Sequence, residues 1–267
     1  MDWPSRGIPT RIQGIPDPMR ATNRREFLIA SLATATLSPS LAAPPIRMGY
    51  ADMVWAFSRR NPDGTASGLL VDSINVLGEK CGLDFTHFAY PWARTQEMVK
   101  VGLLDGFCTS RVKERLEYAD FCSTPLSQTT FGAFHRKEDT RIPDITSVKD
   151  MRALRQGTYH ANGYALQFLE MGQMHMESNT ASLLRLIALN ALDIFVAAES
   201  DGTRLIAELG LQDKIDFTPL SFLPKGEFCF GLRKTFPDAQ AVLAKMEAVT
   251  RVAVKSRELP LLQYSAR

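Results

Sequence analysis

Apolar and polar positions alternate along this chain in two registers, and the switches between them mark out its elements. Ile46-Arg47-Met48-Gly49-Tyr50 is a short apolar run and predicts a first strand. The turn formers Asn61-Pro62-Asp63-Gly64 follow. From Leu69 to Lys80 the apolar positions fall three and four apart. Leu70, Ile74, Leu77 and Cys81 share one face, which predicts a helix ended by Gly82. Asp84 to Tyr90 alternates with a period of two, as a strand does. Arg94 to Leu103 reads as a second helix, and Leu104 to Cys108 leads into a third strand.

This β-α-β-α-β order predicts a doubly wound α/β lobe with a mostly parallel sheet. Around Phe131–Arg136 the pattern breaks, and Ile142-Pro143-Asp144 punctuates it. A second series then begins. It has helices at Ser147–Leu154 and Tyr164–Met171 with a turn at Gly157–Gly163 between them. A helix at Thr180–Leu189, a strand at Asp193–Ala197 and a helix at Thr203–Gly210 follow. A strand-like Phe228–Leu232 and a long helix from Pro237 to about Val254 close the chain. The expected fold class is α/β, with two doubly wound lobes of similar size and no sequence repeat at a fixed period. Open α/β sheets bind ligands beyond the carboxyl ends of their strands, so two such lobes face to face make a cleft.

Composition narrows the function. The chain of 267 residues is 45% hydrophobic and 22% charged, a globular balance with ample material for a core. Its formal net charge of +2 sits in residues 1–42, where Arg6, Arg11, Arg20, Arg24 and Arg25 outnumber Asp2, Asp17 and Glu26. The remainder is formally neutral, which removes the electrostatic case for nucleic acid or an anionic membrane surface.

Residues 1–42 also read as a leader. Asn23-Arg24-Arg25-Glu26-Phe27-Leu28-Ile29 has the twin-arginine form, a modestly apolar stretch runs to about Leu37, and Ser40-Leu41-Ala42 is a small-x-small cleavage pattern. The apolar run is far short of the ~20 residues a membrane span needs, and no later segment reaches that length. The expectation is export to the periplasm, with translation starting at Met1 or at Met19. Cys81, Cys108, Cys122 and Cys229 form no CxxC pair and no metal-ligand spacing; one disulfide or free buried thiols are both open. Met171-Gly172-Gln173-Met174-His175-Met176 carries soft ligands that suit copper, or is simply an exposed helix end. No cofactor and no metal is implied.

Several short motifs in order carry a resemblance. These are Gly49-Tyr50-Ala51-Asp52, Asp63-Gly64, Gly68-Leu69-Leu70-Val71-Asp72, Gly82-Leu83, Gly102-x-x-Asp105-Gly106, Glu114-Arg115 and Asp120-Phe121-Cys122-Ser123-Thr124-Pro125. Gly157-Thr158 and Ala191-Leu192-Asp193 continue the series in the second half. Over Ile46 to Tyr264 the chain resembles the family 3 extracellular solute-binding proteins, of the type II periplasmic-binding fold. The resemblance implies two discontinuous lobes joined by a two-segment hinge. Lobe one would be residues 46–135 plus 228–267, and lobe two residues 136–227. It also implies a monomer that closes on a small molecule and hands it to a membrane permease of the ABC-transporter kind.

It points to site residues as well. Relatives that bind amino acids pair the ligand carboxylate with an arginine in the turn that Glu114-Arg115 occupies here, and Arg115 has the planar fork for two parallel bonds. Asp52, Trp55 and Trp92 fall near the cleft positions of lobe one, and Arg94 and Arg111 would add positive charge. Cys108 stands where glycine is usual, while Ser110 keeps the hydroxyl. The aspartate that holds an α-ammonium group in relatives falls on Ala198, with Glu199 and Asp201 just beyond. An unpaired ammonium in a closed cleft is costly, so a carboxylate-bearing or anionic ligand is expected in place of an α-amino acid. In lobe two, Thr158, Tyr159 and Asn162 belong to a turn whose N–H groups would cradle an anion at a helix start. Two other readings stay open. One is a partner-binding accessory or sensory protein on the same fold. The other is a periplasmic dehydratase-like enzyme, for which His160 is the one histidine near a cleft loop.

Overall fold

A computed structural model describes residues 44–52, 57–169 and 174–264. The expected leader and both candidate start sites, Trp55, and Met171 to Gln173 of the methionine-histidine segment lie outside the described residues, as does the side chain of Asp201. In chain order the first part holds strand β1 (Ile46–Ala51), the two-residue strands β2 (Arg59–Arg60) and β3 (Ala66–Ser67), helix α1 (Leu69–Cys81), β4 (Phe85–Tyr90), α2 (Trp92–Lys100) and β5 (Gly106–Thr109). Next come α3 (Lys113–Leu116), β6 (Ala119–Phe121) and β7 (Ser127–Thr129). The middle holds β8 (Phe131–Arg136), α4 (Val148–Arg152), β9 (Gln156–Tyr159), β10 (Met174–Glu177), α5 (Thr180–Ala188), β11 (Ile194–Ala198), α6 (Glu199–Glu208) and β12 (Ile215–Pro219). The chain ends with β13 (Gly226–Arg233), α7 (Ala239–Lys255) and α8 (Pro260–Tyr264).

Two mixed sheets result, and they share one plan. The first runs β4-β1-β5-β13-β6 with β7 on β13, and the second β10-β9-β11-β8-β12. Each has a parallel trio ordered second-first-third, followed by an antiparallel strand. Apolar clusters cover both faces of each sheet. In the first, Met48, Ile74, Leu77 and Met246 pack on one side, and Val99, Leu104 and Phe107 on the other. In the second, Met151, Ile194 and Val196 oppose Leu183, Ile187 and Phe195. Each such side chain contributes roughly 1.5–3 kcal/mol of burial. The helix predicted from Leu70, Ile74 and Leu77 is α1, and Gly82 ends it in the left-handed region, at φ 66°, where a side chain would be strained.

Strand β8 corrects the expected break at Phe131–Arg136. All six of its residues are buried, and it is the fourth strand of the second sheet, between β11 and β12. His135 and Arg136 make the segment read as irregular, but both are satisfied inside. The His135 ring nitrogens meet Arg136 O at 2.7 Å and Thr218 Oγ1 at 2.8 Å, and Arg136 Nη1 donates to Leu192 O at 2.9 Å. The chain therefore changes sheets before Phe131, not after residue 135, and β13 has rejoined the first sheet by Gly226. Two more expectations fail nearby. Gly157-Thr158 lies within strand β9, and the helix expected from Tyr164 is a single 3₁₀ turn at Ala165–Gln167. Met174–Glu177 is an edge strand, not a helix end.

The amino ends of both sheets are stapled by the same device. Asp105, just before β5, accepts from Arg47 N at 3.0 Å, Arg47 Nε at 2.8 Å and Arg233 Nη2 at 3.0 Å. Asp193, just before β11, accepts from Arg155 N at 2.8 Å, Arg155 Nη2 at 2.7 Å and Arg141 Nη2 at 2.9 Å. Burial pushes the Asp105 carboxyl up, and the arginine bonds outweigh it and hold it below the usual range. Bonds from Arg155 lead the stronger depression at Asp193.

All four cysteines are free thiols. The sheet register explains three of them. Cys108 lies opposite Phe230, and Cys122 N bonds to Phe230 O, so these two flank the same residue two strands apart. That is about 9–10 Å at ordinary strand spacing, beyond the 4.4–6.8 Å that a disulfide spans between Cα atoms. Cys229 adjoins Phe230 in β13 and points to the other face. Burial pushes the Cys122 thiol up to about 12 and Cys229 to about 11, which makes both inert.

Candidate functional site

Between the carboxyl ends of the two parallel trios lies a cavity of about 80 Å³. Tyr50 and Ala51 end β1, Cys108 and Thr109 end β5, and Ser110 follows it; all five reach the cavity. Across the cleft, Tyr159 ends β9 and Ala198 ends β11. The antiparallel strands contribute from their starts, with Phe131 from β8 and Phe228 from β13. The shared sheet plan thus delivers side chains from remote parts of the chain to one place.

Arg115, on α3, is the one charged residue on the wall among the described residues, and it is only 3% exposed. Its Nε donates to Gln96 Oε1 at 2.8 Å, and its Nη1 to Thr109 Oγ1 at 3.1 Å and Ser110 O at 2.9 Å. The guanidinium carbon sits 5.1 Å from the centre of the Trp92 ring. Burial lowers its pKa, yet an arginine remains charged in a protein. None of these acceptors is a carboxylate. Nη2 has no hydrogen-bond partner among the described residues, nor does the Oγ of Ser110, another lining residue. A Cβ on Gly163 would lie 3.3 Å from Nη2, so glycine permits this close approach.

Gln96 joins the two halves. While its oxygen holds Arg115, its Nε2 donates to Ala161 O at 3.1 Å across the cleft. Ala161 holds a left-handed backbone, φ 61°, which is uncommon for a residue with a side chain. Seven aromatic residues among those described line the cavity: Tyr50, Phe57, Trp92, Phe131, Tyr159, Tyr164 and Phe228. Phe131 and Tyr164 stack, and the Tyr164 hydroxyl donates to Pro224 O in the returning crossover. Tyr50 Oη lies 2.9 Å from His87 Nδ1, whose Nε2 lies 2.7 Å from Asn75 Oδ1. Asn75 Oδ1 only accepts, so Nε2 carries the proton and Nδ1 accepts from Tyr50. Burial lowers the His87 pKa to about 4.

The structure therefore brings Trp92, Cys108, Ser110, Arg115, Tyr159 and Asn162 to the cavity. Arg94 is not among them: it is exposed and lies over the Tyr90 ring at 5.0 Å, because a side chain two places along α2 from Trp92 points elsewhere. Arg111 pairs with Glu227 at 2.7 Å. Asp52 borders a second cavity of about 340 Å³ that shares Ala51, Trp92 and Tyr159 with the first, and it accepts from Arg60 N at 3.1 Å. Thr158 is buried and accepts from Asn162 Nδ2 at 3.1 Å, off the wall. His160 is exposed. The expected anion cradle at Gly157–Gly163 is missing, since the 3₁₀ turn that follows is too short to present a helix start. Glu199 is exposed and off the wall, so it does not stand in for a carboxylate at Ala198. Gln96, Phe131, Tyr164 and Phe228 escaped the sequence reading. Phe131 and Phe228 stand at the crossovers, and only that position marks them.

Among the described residues, no group of three or more His, Cys, Asp or Glu is placed to hold a metal. His175 pairs with Glu177 at 2.6 Å. No described helix is long and apolar enough to cross a membrane.

No protein-family model and no curated protein sequence matches the chain. Solved structures do match, at low identity. A histidine kinase sensor domain with similarity to periplasmic binding proteins is 17% identical, with a TM-score of 0.69, over 83% of this chain and 95% of its own. An ancestral arginine-binding protein bound to arginine is 13% identical, with a TM-score of 0.66, over 83% and 97%. An ABC uptake transporter substrate-binding protein from Streptococcus pneumoniae with bound histidine is 15% identical, with a TM-score of 0.66, over 83% and 91%. The fold is that of the type II periplasmic binding proteins, as its motifs implied.

Proposed function

We propose that this chain uses its periplasmic-binding fold as a solute receptor, closing two lobes around a small carboxylate-bearing molecule. One observation carries the reading: Arg115 is buried at the interlobe cavity, and its hydrogen-bond acceptors among the described residues are all neutral. A buried cation without an anion is unfavourable. A ligand carboxylate supplies the missing charge in a bidentate pair. Gln96 then links anchor to closure, since it touches Arg115 and the opposite lobe together. Closure responds to the ligand only through differential affinity for the closed state.

We read the role as binding, not catalysis. Among the described residues the cavity wall offers no histidine and no carboxylate to act as general acid or base. The twin-arginine leader supports delivery to the periplasm, where the protein works as a monomer beside a membrane permease. The likeness to a histidine kinase sensor domain favours a second reading, in which the captured solute is reported to a partner protein.

A thermal-shift screen of the purified protein over carboxylates, amino acids and polyamines tests the proposal. A ligand at about 100 times its Kd adds ~2.7 kcal/mol of stability. A shift with carboxylates that vanishes in Arg115→Ala is the expected result. A folded protein that no carboxylate shifts would remove the receptor reading. Loss of ligand uptake in cells without the protein would support import, and unchanged uptake would favour the sensory role.

A further inference from the structure

We infer that the ligand is an aromatic monocarboxylate without an amino group, an inference that rests on the receptor reading above. The charges on the wall are the first argument. Arg115 is the sole full charge among the described lining residues, so one carboxylate balances the site. A second carboxylate would be buried with no cation.

An ammonium group fares no better. It needs acceptors, and no described Asp or Glu lines the cavity. Ala198 presents a methyl group there. Asp52, a carboxylate on the second cavity's wall, is exposed and does not line the first. Two neutral acceptors are already engaged: Ala51 O takes Ser58 Oγ at 2.8 Å, and Ser110 O takes Arg115 Nη1 at 2.9 Å.

The donors are the second argument. Arg115 Nη2 and Ser110 Oγ, on two lining residues and without partners among the described residues, are donors that suit the oxygens of a carboxylate. The third argument is the remaining wall. Phe57, Trp92, Phe131, Tyr164 and Phe228 offer ring faces and edges that reward a flat apolar body over a branched or polar one.

Calorimetric titration of the protein with paired probes tests this. The aryl acids are benzoate, phenylacetate, 3-phenylpropionate and indole-3-acetate. Their counterparts are phenylalanine, tryptophan, phenylsuccinate and hexanoate. At least one aryl acid is expected to bind about 100-fold tighter than its amino-acid counterpart, given the cost of an unpaired buried charge. If an amino acid, phenylsuccinate or hexanoate binds as tightly as the best aryl acid, or if only non-aromatic carboxylates bind, the inference is wrong. The receptor reading survives that result provided Arg115→Leu still abolishes binding. If no carboxylate binds, or binding is unaffected by Arg115→Leu, the underlying reading fails as well.

Ala198→Asp gives an independent check. Position 198 caps α6, where aspartate is favoured, so the variant has a local reason to fold, and its thermal midpoint verifies that it does. The variant is expected to gain at least about 10-fold for phenylalanine and to lose affinity for 3-phenylpropionate, because the new carboxylate neutralises Arg115 and receives an ammonium. An unchanged preference in a folded variant would contradict the charge argument.

Discussion

At the amino ends of the two sheets, Asp105 and Asp193 each gather arginines. At the carboxyl ends, Arg115 is buried with no carboxylate among its hydrogen-bond partners in the described residues. Arg136 makes the contrast sharper, since it too is nearly buried, at 9% exposed. It lies at the base of the second sheet, 3.3 Å from Asp139 and 3.8 Å from Asp193, and its charge is answered inside the fold. Arg115 is more deeply buried, at 3%, and is answered by Gln96, Thr109 and a backbone carbonyl. The difference separates two uses of a buried cation. At the base it is a strut, and at the cleft, on the proposed receptor reading, it pairs with a ligand's charge while the sheets below supply the stability.

Asp193→Asn should produce the largest change. It removes a buried acceptor that Arg155 N and two half-exposed arginines share, and a stability loss of about 2 kcal/mol is expected from the lost hydrogen bonds. Urea denaturation measures it, and ligand affinity in the folded variant should be unchanged. A loss below 0.5 kcal/mol would mean that the base is not a strut.

Gln96→Leu removes both an acceptor for Arg115 and the bond to Ala161 O across the cleft. Affinity should fall roughly 10-fold, about 1.4 kcal/mol, near the worth of one buried hydrogen bond. Titration calorimetry reads this, and unchanged affinity would uncouple Gln96 from the site.

His87, behind Tyr50 of the cavity wall, carries a pH signature. Folded His87 has a pKa of about 4, against 6.5 in the unfolded chain. Between these values the unfolded chain takes up a proton that the folded protein refuses. The contribution is therefore fully present above pH 6.5 and is lost as pH falls toward 4. The lowered carboxyls at the base, Asp105 and Asp193, act in the more acid range. His87→Asn should flatten the stability profile between pH 6.5 and 4 and leave the acid limb unchanged. An unaltered profile would refute the assignment.

Ala161→Gly should have the smallest effect. Releasing the left-handed alanine at φ 61° is expected to add about 0.5 kcal/mol, within reach of paired thermal melts.

Legibility followed how local each cause is. Helix α1 was readable because Leu70, Ile74 and Leu77 repeat at helical spacing and Gly82 caps it. Strand β8 was not, because His135 and Arg136 become compatible with a sheet interior only through Thr218, Leu192 and Asp139, all brought by tertiary folding. Arg115 and Trp92 were found through a resemblance, and the fold unites them. Arg94 lies only two places from Trp92 in sequence, and helix geometry turns it outward. Gln96 carried no signal. Its partners, Arg115 and Ala161, lie far along the chain and meet only when the lobes face each other.

The most direct test compares wild type and Arg115→Leu in denaturation midpoint, each with and without a saturating aryl acid. The account predicts that the unliganded variant is at least as stable as wild type, since an unanswered buried charge is gone, and that ligand stabilises wild type alone. An unliganded variant several kcal/mol less stable, and still stabilised by ligand, would show that Arg115 is a strut like Arg136 and would contradict the account.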